Sequence, residues 1–231
     1  MKTDKDIIHE RLISVDVPTE ASLSKKELSD EYSFYPYVQP LVNMADYPDI
    51  RTEPSSEGID LGLSVLWAAC NIGAEKPSDY GDYYAWGETY TKNNYSKETY
   101  TYTDNPETLL PSNDVATQKI GSDWRMPTLD EIEELIQTRD DSNYQWTWKA
   151  IDGHNGWEIK YLINNNSIFL PAAGYLYETS LYDADYGYYW SSSRYTDYPS
   201  YAWLMYFNSE VVDRNGDGRN GGQSVRPVKQ K

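Results

Sequence analysis

The sequence has a single cysteine, Cys70, and only two histidines, His9 and His154. One thiol cannot close an intrachain disulfide, so no disulfide framework is expected to hold the fold. Cys70 ends the apolar run Leu66-Trp67-Ala68-Ala69-Cys70 and reads as a buried structural thiol. His154 sits in the turn-like stretch Asp152-Gly153-His154-Asn155-Gly156 and reads as a solvated surface group. Neither histidine completes a Ser-His-Asp or Cys-His arrangement, so the chain is not expected to be an enzyme, and no cofactor is expected. Positive charge is scarce. Lys and Arg number 20 against 37 Asp and Glu, a net charge of −17. A surface of that sign repels phosphate backbones and anionic lipid, which argues against a nucleic-acid partner. No apolar run reaches membrane-spanning length, so membrane insertion is not expected either. None near the N-terminus reaches the length of a signal-peptide core, which leaves cytoplasm, a phage particle or another export route open.

Glycine is absent before Gly58, while Pro18, Pro36, Pro40, Pro48 and Pro54 interrupt every apolar run of that region. Residues 1–57 are therefore expected to be an extended, partly disordered arm. The aromatic patch Tyr32-Ser33-Phe34-Tyr35-Pro36-Tyr37-Val38 is its one adhesive element. A folded domain is expected over 58–231.

What the domain has in abundance is tyrosine and tryptophan, 23 and 8 residues, beside only 3 Phe. Large rings with a polar handle suit half-buried strands and binding surfaces. Ile59–Ala68 reads as a first strand region and Gly81–Gly87 as a second, and polar residues 88–111 read as a long loop. A short helix is expected over Asp114–Ile120, with Ser112 or Asn113 as N-cap and Gly121 as stop. A second is marked by the Thr128/Glu131 capping box and by Leu129, Ile132, Leu135 and Ile136 on one face. Period-two alternation then predicts a meander through Trp146–Ala150, Trp157–Ile163 and Ser167–Pro171. Later strands are expected at Tyr188–Ser192, Ala202–Phe207 and Gln223–Arg226. The expected class is α+β, with two helices, a mostly antiparallel twisted sheet and long loops. Trp67, Trp86, Trp124, Trp190 and Trp203 lie in strand motifs with apolar neighbours and are assigned to the core. Arg125 and Arg226, each close to a proline, read as structural arginines bonded to carbonyls or a carboxylate.

Six segments occur in an order that resembles one family. They are Asp60–Ala68, Tyr80–Glu88, Trp124–Thr128, Asn166–Tyr175, Tyr189–Ser193 and Ser224–Val228. Together, from about Gly58 to Val228, they resemble the Fibrobacter succinogenes major paralogous domain. The resemblance implies a C-type lectin-like fold, shared with formylglycine-generating enzymes and with the variable proteins of diversity-generating retroelements. It also implies a place at the cell surface or in secretion. Formylglycine-generating enzymes use a cysteine pair with copper, and this sequence has only Cys70. Calcium-dependent lectins of the fold carry Glu-Pro-Asn or Gln-Pro-Asp and Trp-Asn-Asp motifs, which are missing here.

The expected activity is therefore ligand binding. Tyr177, Tyr182, Tyr186, Arg194, Tyr195, Asp197 and Tyr198, followed by Asn208, Glu210 and Arg214, make up the candidate site. Tyr, Asp and Asn in loops on a rigid sheet are the composition of adaptable recognition surfaces. The ligand class is a protein or a glycan, and the resemblance adds that such a site can be diversified. A structural surface or virion component is the rival reading, and the sequence leaves oligomeric state open. Asp213, Asn215, Asp217 and Gly218 match the start of a calcium loop. The match fails where a bidentate Glu is required, because Ser224 stands there, so no metal site is assigned.

Overall fold

A computed structural model describes residues 57–231. The expected arm, its Tyr32–Val38 patch and His9 lie outside the described residues. The domain is mostly β-sheet with two α-helices, and every strand pairing is antiparallel.

The first sheet joins the two ends of the domain. Strand β1 (Ile59–Asp60) turns back into β2 (Val65–Trp67), and the order continues through β12 (Val228–Gln230) to β3 (Trp124–Arg125). The expected single strand Ile59–Ala68 is thus a hairpin. Gly62 adopts a left-handed conformation (φ 77°), and its N–H bonds the Asp60 carboxylate across the turn. The meander appears as β4 (Tyr144–Ile151), β5 (His154–Tyr161) and β6 (Ser167–Pro171). Asp152 and Gly153, both at positive φ, make the β4–β5 connection a two-residue hairpin turn. Ile163 does not extend β5. It lies in the following turn, 67% exposed. His154 is not a solvated turn group. As the first residue of β5 it donates from Nδ1 to the Ser78 carbonyl and packs on the Tyr80 ring.

Helix α1 (Val115–Ile120) is capped by Asp114 itself, one residue beyond the expected caps, because its carboxylate accepts both the Thr117 and Met126 N–H groups. Helix α2 (Leu129–Gln137) begins at the Thr128/Glu131 capping box. Arg125 clasps the same Glu131 with both guanidinium nitrogens, which fixes β3 to the start of the helix.

Two expected strands are absent as strands. Gly81 and Gly87 are both left-handed (φ 72° and 81°), and between them only Tyr84 bridges to Gln223. Gln223 and Ser224 likewise make isolated bridges, to Tyr84 and Tyr189. The two segments bond to each other's irregular backbone instead of entering a ladder. Four strands, β12 among them, carry no signal read from the sequence. Strand β7 (Tyr175–Tyr177) pairs with β8 (Ser180–Tyr182), and β11 (Val212–Gly218) forms the edge of a sheet ordered β11-β10-β9 with β10 (Tyr201–Phe207) and β9 (Gly187–Arg194).

That last sheet feeds two cores. Tyr189, Met205 and Phe207 on one face join Trp67, Ile132, Leu135, Ile159 and Leu170. Trp190, Ala202 and Leu204 on the other join Trp86, Tyr84, Met126 and Val225. Arg226, almost fully buried, holds the carbonyls of Ala68, Ala69 and Phe169 and the Asn71 side chain, which ties β2 and β6 to the C-terminal segment. Trp203 is a correction. It is half-buried, and its ring belongs to neither core. Four residues of β9 span what two of β10 span, from Arg194↔Ala202 to Trp190↔Leu204. This bulge lies opposite Trp203, where Ser191 Oγ donates to the Trp203 carbonyl.

Candidate functional site

A cavity of about 320 Å³ opens where the β9–β11 sheet meets the β7–β8 hairpin. Its side-chain lining is four tyrosines (Tyr175, Tyr186, Tyr188 and Tyr206), Leu204, Asn215 and two carboxylates, Asp183 and Asp217. Strand alternation explains the grouping. Tyr206 lies opposite Tyr188 across the β9–β10 ladder and opposite Asp213 across β10–β11, while Leu204 lies opposite Asn215. Residues that face each other across an antiparallel pair share a face. Leu204 forms the apolar floor, continuous with the second core.

The rings brace one another. Tyr175 and Tyr188 stand at 69° with centroids 5.1 Å apart, Tyr186 lies along Tyr188 at 6.1 Å, and Tyr182 stacks on Tyr175 at 5.6 Å. Tyr188 Oη donates to Asp183 at 2.8 Å. Burial, then this carboxylate, pushes the Tyr188 hydroxyl far above the ordinary tyrosine range, so it stays a donor. Asp217 is held by its own loop. One oxygen accepts the Gly218 N–H, and the other accepts Nε2 of buried Gln223 at 2.9 Å. Burial raises the Asp217 carboxyl above its usual range despite these bonds. Among the described residues no cation pairs with Asp183 or Asp217.

A family model for the Lcl C-terminal domain matches residues 59–229. The chain belongs to that family. No curated protein and no solved structure matches it. The matched stretch holds every element described above, save the last residue of β12, and the whole of the cavity.

The ten candidate residues of this Lcl C-terminal domain do not form one surface. Tyr186 lines the cavity, Tyr182 stacks on its wall, and Tyr177 contacts Tyr182 edge-on. Tyr195, Tyr198 and Arg214 gather around Trp203 on the opposite face of the sheet. Tyr195 lies 4.3 Å from the Trp203 ring, Tyr198 6.0 Å from Tyr195, and the Arg214 guanidinium 5.6 Å above Trp203. Arg214 also pairs with Glu133 of α2. Arg194 bonds the Pro106 carbonyl, and Asp197 is exposed in the loop that follows β9. Asn208 and Glu210 form the β10–β11 turn, where Asn208 Oδ1 accepts the N–H groups of Glu210 and Val211. The turn is anchored elsewhere, by Trp157 Nε1 on the Asn208 carbonyl and Arg139 on that of Glu210.

The residues of the partial calcium-loop match lie in a strand. Asp213, Asn215 and Asp217 occupy alternate positions of strand β11, where side chains are spaced along an extended backbone instead of converging. Among the described residues no group of three or more His, Cys, Asp or Glu is placed to hold a metal ion.

Tyr175, Asp183, Tyr188, Leu204 and Tyr206 are not among the expected site residues, and Asn215 and Asp217 figure only in the calcium-loop match. Leu204/Tyr206 do carry a signal, since the pair sits at the two-residue spacing of one strand face. Which faces are brought together is a matter of register, and that is set by the bulge at Ser191–Ser193 and by a strand, β11, that after Val212 is composed of Asp, Arg, Asn and Gly.

Just beyond β11, a buried arginine gathers a loop. Arg219, buried, lies 4.4 Å over Trp86 and 5.1 Å from Tyr102, and bonds Tyr100 Oη and the carbonyls of Asp104 and Pro199. Loop 88–111 is thereby tied to the end of β11. Inside the loop, buried Glu88 accepts Lys92 Nζ and the Thr101 N–H and hydroxyl.

Proposed function

We propose that this domain is a non-catalytic ligand-binding module of C-type lectin-like kind. It recognises a protein or glycan through the tyrosine-lined cavity between β7–β8 and β9–β11. The observation that carries the reading is the cavity itself: four tyrosines, an apolar floor and two carboxylates on a rigid sheet. Binding sites combine apolar and aromatic walls with a few fixed polar groups in this way. The sheet supplies rigidity, while Asp183 and Tyr186 come from the segment joining β8 to β9, where sequence can vary without disturbing a core. That division is the one expected of a variable binding protein, and it supports this reading alongside the motif resemblance to the Fibrobacter paralogous domain. The lone Cys70, buried and with its thiol raised by burial, is consistent with a structural thiol.

The test is binding of the full chain to arrays of glycans and of surface proteins, beside Tyr206→Leu and Tyr188→Phe variants. Several-fold weaker binding by the variants, at unchanged melting temperature, is the expected result. Binding that survives both substitutions would move the site elsewhere, and no binding by the unaltered chain would favour the structural-component reading.

A further inference from the structure

We infer that the cavity takes an organic cation, an ammonium group carried on alkyl carbon. This deepens the ligand-binding reading above and rests on it. The argument starts from charge. The lining contains two carboxylates and no Lys, Arg or His. Asp183 and Asp217 have no cationic partner among the described residues, in a chain of net charge −17. Asp217, half-buried and without a counter-ion, gains most from an arriving positive charge, while Asp183 is exposed.

The rings add a second, independent preference. Aromatic faces carry negative potential and attract a cation that sheds its water; a quaternary or alkylated ammonium does so most readily. Tyr175 and Tyr188 form a roughly perpendicular corner, extended by Tyr186 and Tyr206. Leu204 at the floor suits the alkyl carbons. The hydroxyl of Tyr188 is engaged by Asp183, which fixes that ring against the wall. Gln223, fully buried behind the lining, holds Asp217 in position. The volume of about 320 Å³ lies at the small end for ligand pockets and accommodates a choline-sized group or a lysine-type side chain.

An anionic ligand is disfavoured by the same facts, since each carboxylate would repel it. A neutral sugar would find rings to stack on, but it would leave both carboxylates without a counter-charge.

Titration calorimetry of the full chain with choline, and with its uncharged carbon isostere 3,3-dimethylbutan-1-ol, separates charge from shape. Choline is expected to bind saturably and the isostere at least tenfold more weakly. n-Butylammonium as a third probe tells a lysine-type source from a choline-type one, and saturable binding of either cation supports the inference. Asp217→Asn, whose Oδ1 can keep the Gly218 N–H while its amide donates to the otherwise unpartnered Gln223 Oε1 after a flip of that side chain, is expected to weaken cation binding several-fold without lowering the melting temperature. Lys149→Ala on β4 is expected to change nothing. The affinity is also expected to fall on acidification, beginning above the ordinary carboxylate range. Asp217 is the raised acid in the cavity, facing Asp183 and the tyrosines Tyr175, Tyr186, Tyr188 and Tyr206. Equal binding of choline and its isostere would overturn the inference. So would saturable binding of a neutral hexose, lost in Tyr206→Leu, in the absence of cation binding; that result would leave the ligand-binding reading standing. Failure of every probe on this cavity, together with a silent array, would remove both.

Discussion

Among the large aromatic residues, burial and exposure are divided by a single change of face. Trp190 is wholly buried, and its Nε1 donates to the Tyr84 carbonyl, so it joins the β9 strand to the irregular Tyr80–Glu88 segment. Trp203 occupies a neighbouring strand with equally apolar flanks, yet its ring lies under Tyr195 and Arg214 at the surface. Trp190→Ala is expected to cost about 3–5 kcal/mol, the usual cost of emptying a large core site. Trp203→Ala is expected to cost about 1 kcal/mol, since water already reaches the ring. Chemical denaturation of the two variants measures the difference directly; equal losses would return Trp203 to the core. Tyr195 is less dispensable than an ordinary loop tyrosine. It roofs Gly216, where even a methyl group would collide with its ring.

At the scale of the element, helix α2 shows local sequence and tertiary contact acting on one carboxylate. Glu131 closes the capping box on the Thr128 N–H and receives both Arg125 nitrogens. Burial pushes its pKa up, but Arg125 and Thr128 outweigh burial and the net shift is downward. A carboxyl lowered on folding stabilises the folded state above its unfolded pKa, and that stability is lost as pH falls through the folded value. Glu131→Gln is therefore expected to be less stable than the unaltered chain near neutrality, with the gap narrowing below about pH 4, where the unfolded carboxyl is protonated. Melting curves at several pH values check this, and a gap constant with pH would refute it. Strand β11 gives the opposite lesson, because local composition misled. Asp213-Arg214-Asn215-Gly216-Asp217-Gly218 has the residues of a calcium loop, but seven ladder partners on β10 hold it extended. Millimolar calcium is accordingly expected to leave the melting temperature unchanged. A rise of several degrees would mean that a site forms after all, since a ligand bound only by the folded state must stabilise it.

For the whole domain, the decisive feature is closure. Strand β12 inserts between β2 and β3, with Val228 fully buried, so the last residues complete a sheet begun by the first. Ending the chain after residue 227 would leave the backbone edges of β2 and β3 unpaired and empty a core position. Such a chain is expected to lose its cooperative thermal transition, whereas ending it after residue 230 is expected to lower the melting point only slightly. Retention of a sharp transition by the shorter chain would show that the first sheet is peripheral to stability.

The sequence by itself determined the features that depend on near neighbours. The capping box at Thr128, the stop at Gly121, the β4–β6 meander, the class of α+β and the structural use of Arg125 and Arg226 all follow from spacing, turn chemistry or the cost of burying a charge. The six ordered motifs run from about Gly58 to Val228, and the family match covers residues 59–229. Only the tertiary structure decided which side chains meet. Tyr177, Tyr182 and Tyr186 collect at the cavity, Tyr195, Tyr198 and Arg214 lie on the reverse face, and Asn208 and Glu210 only build a turn. The physical reason is register. A strand exposes alternate residues on opposite faces, so a bulge at Ser191–Ser193 or an edge strand of polar residues reassigns whole sets of side chains while leaving the local pattern of the sequence unaltered.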